Sequence, residues 1–166
     1  MPIRNPIGHL ATIDDGETLL IEDRLRALLT GDADLAGTYF GPILDFPLHA
    51  IAESEGLLVS IFTNREYLPA QTLSTRRLDP EIVLEVAGYL DEGATRTRMS
   101  ETRRRVVRLT TLLRKVIWRR YRVDPSADSL WYRMSFGTPV TTPFFGENNS
   151  YFLTRTVFSL SANQGA

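Results

Sequence analysis

The chain has 166 residues, a formal net charge of −1, and 43% hydrophobic and 23% charged residues. A chain of this length removes roughly 70% of its unfolded surface from water on folding, enough for one core in a single domain over 1–166, and its composition excludes a disordered or fibrous protein. It contains no cysteine, which excludes disulfide stapling, thiolate metal ligands and a cysteine nucleophile.

Residues 1–14 read as an extended arm, because Pro2, Pro6 and Gly8 break any helical run while Ile3, Ile7 and Leu10 offer apolar contact points. No apolar stretch of signal-peptide type opens the chain and no run of about eighteen apolar residues occurs, so a cytoplasmic folding site without a membrane span is expected. A first helix is predicted over Glu17 to Leu29, capped by Asp14 or Asp15, with Ile21, Leu25, Leu28 and Leu29 on one face and Gly31 ending it. Gly37, Gly41 and Pro42 mark turns before a short strand over Phe46 to Ala52. Leu57 to Thr63, rich in branched and aromatic residues, reads as a buried strand, and Asn64 to Asp79 shows no period and reads as a long loop. Glu81 to Leu90 alternates, with Ile82, Leu84 and Val86 on one face and Glu85 on the other.

The second helix is predicted from Ser100 to about Tyr121, with Ser100 as its cap and Glu101 at the positive end of its dipole. At 100° per residue, Val106, Leu109, Leu113, Val116 and Ile117 form one apolar arc, and Arg103, Arg104, Arg108, Arg114, Lys115 and Arg119 face away from it. Two strands complete the chain, Leu130 to Phe136 and Tyr151 to Ser161, joined by a turn-rich segment holding Pro139, Pro143 and Gly146. The order predicts an α+β fold, an antiparallel or mixed sheet packed against two main helices, and there is no βαβ alternation of the doubly wound kind.

No chemistry-bearing motif stands out. Phosphate-cradling glycine patterns and the Gly-x-Ser-x-Gly elbow are absent, and the two histidines, His9 and His49, lie far apart in sequence. The carboxylate pairs Asp14–Asp15, Asp32–Asp34, Glu53–Glu55 and Asp91–Glu92 fall at turns or helix ends, where backbone hydrogen bonding alone favours them. The expectation is therefore no catalytic, cofactor or metal site, and no small-molecule substrate. An enzyme with a site gathered from scattered residues would need a deep polar pocket.

Charge is segregated instead. Between Arg96 and Arg122 lie ten arginines and one lysine against Glu101, so this segment carries about +10 and the remainder about −11. Such a helix suits phosphates, a protein partner or plain solvation. Val107 and Trp118 project into its cationic side about three turns apart, and tryptophan beside arginine is the composition of protein-binding hot spots, so protein contact is favoured. Aromatic residues in turn-rich segments point the same way. The candidate partner-binding residues are Arg103, Arg104, Val107, Arg108, Arg114, Lys115, Trp118 and Arg119 on the helix, with Tyr67, Phe144 and Phe145 in loops.

The layout resembles the tail terminator proteins of long-tailed bacteriophages. The segments that carry the likeness are an amphipathic helix (GETLLIEDRLRALL), then LAG and a strand (GLLVSIFTN), then a charged loop entering RRLDPEIVLEVAGYL, the helix SETRRRVVRLTTLLRKVIW, and a closing hairpin ending in SYFLTRTVFSLSA. The resemblance implies a homohexameric ring in the virion tail, assembled in the host cytoplasm. Such a ring caps the tail tube and faces the head–tail connector, with the tail sheath as a further partner in contractile tails. That family has no catalytic signature to carry over residue by residue. The longer arm and the 64–79 segment depart from its shortest members, which leaves open another neck or head–tail completion protein. The residues themselves leave open a nucleic-acid-binding module using the helix 100–121.

Overall fold

Two long strands organise the molecule, and the alternation of their side chains decides which layer lies on which side. The computed structural model describes Leu19 and residues 21–51, 56–67, 76–123, 133–146 and 150–164. Helix α1 (21–30) leads through Gly31 into the short α2 (Ala33–Ala36). Then follow β1 (Ile43–Leu44), a single 3-10 turn (Leu48–Ala50), β2 (Leu57–Tyr67), β3 (Arg76–Leu90), α3 (Arg96–Val123), β4 (Arg133–Phe136), β5 (Val140–Phe145) and β6 (Ser150–Gln164). The strands form one mixed sheet ordered β1-β2-β3-β6-β4, with β5 also paired to β6. β1 runs parallel to β2, and the other pairs are antiparallel. Six strands with three α-helices make this the expected α+β fold.

One face of the sheet packs on the helices. Cross-strand partners Val59 and Val86, Ile61 and Leu84, and Ile82 and Phe158 present their side chains to Ile21, Leu25 and Leu29 of α1 and to Val106, Leu109, Leu113, Val116 and Ile117 of α3. Every member of the apolar arc read from the α3 sequence is buried. Gly88 sits under α3 where a side chain has no room: a Cβ there would lie 2.5 Å from Val106 Cγ2 and 2.8 Å from Thr102 Cγ2. On the rear face a smaller apolar cluster forms where Leu44, Leu48 and Ile51 cover Ala87, Tyr89 and Leu153. Glu85, which the alternation sends to this face, is buried there, and its carboxylate accepts the Leu48 N–H at 2.9 Å.

Several expectations change. Within the predicted strand at Phe46 to Ala52, Leu48–Ala50 is a 3-10 turn that follows the two-residue β1, because Pro47 withholds a ladder donor and the segment turns onto the rear of the sheet; Ala52 lies outside the described residues. Within the expected long loop of 64–79, residues 64–67 and 76–79 are strand: β2 and β3 stay paired as far as Tyr67 and Asp79, with a register shift between Thr63 and Arg65, and 68–75 lie outside the described residues. Charged residues such as Arg65, Glu66 and Arg76 hide that strand character from an apolar pattern. Helix α3 starts at Arg96, where Thr95 Oγ1 accepts the Arg98 N–H at 3.2 Å, four residues before the predicted cap. β5 runs through the segment read as a turn-rich connection, and Gly137 allows the entry by packing against the Val157 carbonyl. His49, within the predicted strand of Phe46 to Ala52, is exposed on the 3-10 turn. The 1–14 arm lies outside the described residues.

Beyond the two-residue β1, the open edge of β2 has two of its donors taken by side chains. On β2 the Val59 N–H is taken by Tyr39 Oη at 3.2 Å and the Thr63 N–H by the Glu22 carboxylate of α1 at 2.5 Å. On the opposite side Pro143 interrupts β5, which removes one donor from that strand.

Candidate functional site

Helix α3 is about 42 Å long at 1.5 Å per residue and lies across β3 and β6. Its burial leaves a solvent face on the opposite side. There Arg103, Arg104, Arg105, Arg108 and Lys115 are exposed and have no ion-pair partner among the described residues. Arg104, Arg108 and Lys115 fall within about 40° of one another around the helix and span about 16 Å along it. Val107 and Trp118 flank this line with 37% and 43% of their surfaces exposed, as the helical spacing requires. Glu101, the helix's one acid, reaches only Arg98, at 3.9 Å. Cations and apolar surface thus share one unshielded face, the mixture found at the centres of protein interfaces.

Two of the expected interface cations are engaged inside the chain. Arg119 forks across two carboxylates, Nη2 to Asp32 Oδ2 at 2.8 Å and Nη1 to Asp34 Oδ2 at 3.1 Å. Asp32 is buried and caps α2, its Oδ1 accepting the N–H groups of Asp34 and Leu35. Burial pushes its carboxyl up, but the Leu35 N–H, the Arg119 guanidinium and the Asp34 N–H together outweigh this and hold it below the usual carboxylate range. The same contacts raise the Arg119 pKa, the Asp32 hydrogen bond first. Arg119 therefore ties the far end of α3 to the α1–α2 junction. Arg114 turns to the flank, its guanidinium carbon 5.3 Å from the centre of the Phe136 ring. The spacing of the sequence placed both on the outer arc, and partners that distant along the chain leave no local signal.

The aromatic candidates divide as well. Tyr67 lies in β2, its backbone paired with Asp79, rather than in a loop, and its side chain is outside the described residues. Phe144 and Phe145 lie in β5, 40% and 66% exposed. Phe144 stacks on Tyr151 with ring centres 5.0 Å apart, and Tyr151 meets Tyr89 at 5.3 Å. Phe145 pairs with Ser150, which pairs in turn with Leu90, so Phe145 lies at the same end of the sheet as the turn carrying Asp91 and Glu92. Tyr39 folds inward, its hydroxyl donating to the Pro42 carbonyl at 2.6 Å.

Sequence reasoning missed the fastening role of Asp32 and Glu85. The first looked like a turn acid, and the second like a solvent-facing strand residue until the 44–51 segment covered it. Among the described residues no three metal-ligating side chains converge, and no helix is long and apolar enough to cross a membrane. The arrangement is suited to binding a macromolecule on a broad face. No family model matches the chain, and no curated protein matches it.

Proposed function

We propose that this chain is a structural subunit that assembles with copies of itself through the outer face of α3, and that it serves as the tail terminator of a long-tailed bacteriophage. In that role the assembled ring caps the tail tube and joins it to the head connector. The observation that carries the assembly part is the α3 face itself, where Arg104, Arg108 and Lys115 stand unpaired beside exposed Val107 and Trp118. Side chains that take two donors of the β2 edge, and Pro143 in β5, weigh against strand addition at those places. The terminator role rests on the likeness of layout described above. Purified chain of 18.8 kDa is expected to run as a ring of about 113 kDa with a central hole in negative-stain images. A stable monomer at micromolar concentration contradicts the proposal.

A second reading, a nucleic-acid-binding module, is favoured by the same unpaired cations taken without Val107 and Trp118. It requires duplex DNA affinity that falls steeply with salt and a flatter salt slope after Arg104, Arg108 and Lys115 are replaced by glutamine.

A further inference from the structure

The α3 face cannot meet its own copy. In a two-fold contact Arg104, Arg108 and Lys115 would oppose the same cations of the second subunit, and juxtaposed like charges repel wrong pairings by several kcal/mol. Whatever part of a neighbouring copy covers this face must be a different surface, acidic where α3 is basic and apolar where Val107 and Trp118 are exposed. The described residues bring such a surface together at one end of the sheet. The Leu90, Ser150 and Phe145 register sets the turn after β3 and the end of β5 at one end of the sheet, on either side of β6. Asp91 there is 79% exposed and only loosely tethered to Arg98, at 3.9 Å. Glu92 is exposed with no ion-pair partner among the described residues, and Phe145, 66% exposed, ends β5 at the same end of the sheet, while Phe144 turns to the other face against Tyr151.

We infer that the end formed by Asp91, Glu92 and Phe145 docks onto the outer face of α3 of a second copy of this chain. The contact is heterologous, each subunit giving its end to one neighbour and its helix face to another, the arrangement that closes into rings. This inference rests on the self-assembly reading above and adds to it the two surfaces that meet. Charge sets the register, and Phe145 meets the apolar ground beside Val107 and Trp118.

The test is a charge exchange on the full chain. One variant carries Asp91→Lys with Glu92→Lys, and the other carries Arg104→Glu with Arg108→Glu. All four positions are exposed, and circular dichroism verifies that each variant folds. Each variant alone is expected to lose the assembled species and run at 18.8 kDa. Mixed in equal amounts, the two regain it, because each reversed end now faces a helix of opposite sign, and the regained assembly itself reports that both are folded. Assembly of the Asp91/Glu92 variant at wild-type strength, or failure of two folded variants to recover on mixing, overturns the pairing of these surfaces while self-assembly of the wild type stands. A wild-type chain that never leaves the monomer overturns both readings.

Discussion

Gly88 fixes how closely α3 approaches β3, and so where the helix face stands relative to the rest of the subunit. Replacing it with alanine puts a Cβ 2.5 Å from Val106 Cγ2 and 2.8 Å from Thr102 Cγ2. Carbon atoms rest at about 3.5–4 Å, so one of the layers must yield by about 1 Å. Val106, the nearer contact, is β-branched and holds a single rotamer in a helix, so it cannot swing aside, although Thr102 has a second rotamer open to it. Overpacking of this kind costs about 1–3 kcal/mol. The smaller entropy of the unfolded alanine chain returns about 0.4–1 kcal/mol. A net loss of about 1–2 kcal/mol follows, or roughly 2–8 °C in Tm for a chain of this size. Differential scanning calorimetry of Gly88→Ala, Val106→Ala and the double variant measures it. Shortening Val106 leaves a cavity in the wild type but relieves the clash in Gly88→Ala, so the two substitutions are expected to couple by at least about 0.5 kcal/mol. A Gly88→Ala chain as stable as wild type, or strict additivity in the double variant, refutes the geometry.

Asp32 gives a paired comparison. Asp32→Ala removes the α2 cap and is expected to cost about 1 kcal/mol, whereas Asp32→Asn keeps a cap and loses only the charged partner of Arg119. Because the folded carboxyl is held below the ordinary range, its charge-linked stabilisation is complete above the unfolded pKa of about 4 and is lost as pH falls through the folded value. Thermal melts should therefore show the wild type and Asp32→Asn converging as pH falls below the unfolded pKa of about 4. Tyr89 makes the opposite case. Its hydroxyl is buried without a hydrogen-bond partner, and burial, then Tyr151 and Glu85, push its pKa to about 12. Its neutral form is favoured by the fold, so its contribution is complete below the unfolded pKa of about 10 and is lost as pH rises toward 12. Tyr89→Phe is expected to match or exceed wild-type stability at neutral pH in urea melts, since it removes an unsatisfied group and keeps the ring packing.

The sequence carried the core far better than the surface. The α3 arc from Val106 to Ile117 and the alternation Ile82, Leu84, Val86 follow from period alone, because burial selects apolar side chains at fixed spacing. The outward placement of Val107 and Trp118 follows from the same arithmetic. The paired strands beyond Thr63 were not legible, since their side chains are charged and the pairing is carried by backbone groups common to every residue. Arg119 and Arg114 read as outward cations because a helical wheel knows nothing of Asp32 or Phe136, which reach the helix from other elements. Glu85 went unnoticed for the same reason: its partner is the backbone of Leu48, distant along the chain.

Light scattering of the native chain, coupled to size exclusion and run at low and at high ionic strength, reaches the central claim most directly. A mass near 113 kDa at low salt is expected, six subunits of 18.8 kDa, weakening as salt screens the α3 cations. The Arg104→Glu, Arg108→Glu variant is expected to elute at subunit mass under both conditions. A wild-type mass of 18.8 kDa throughout the concentration range, or a ring indifferent to those two substitutions, contradicts the account.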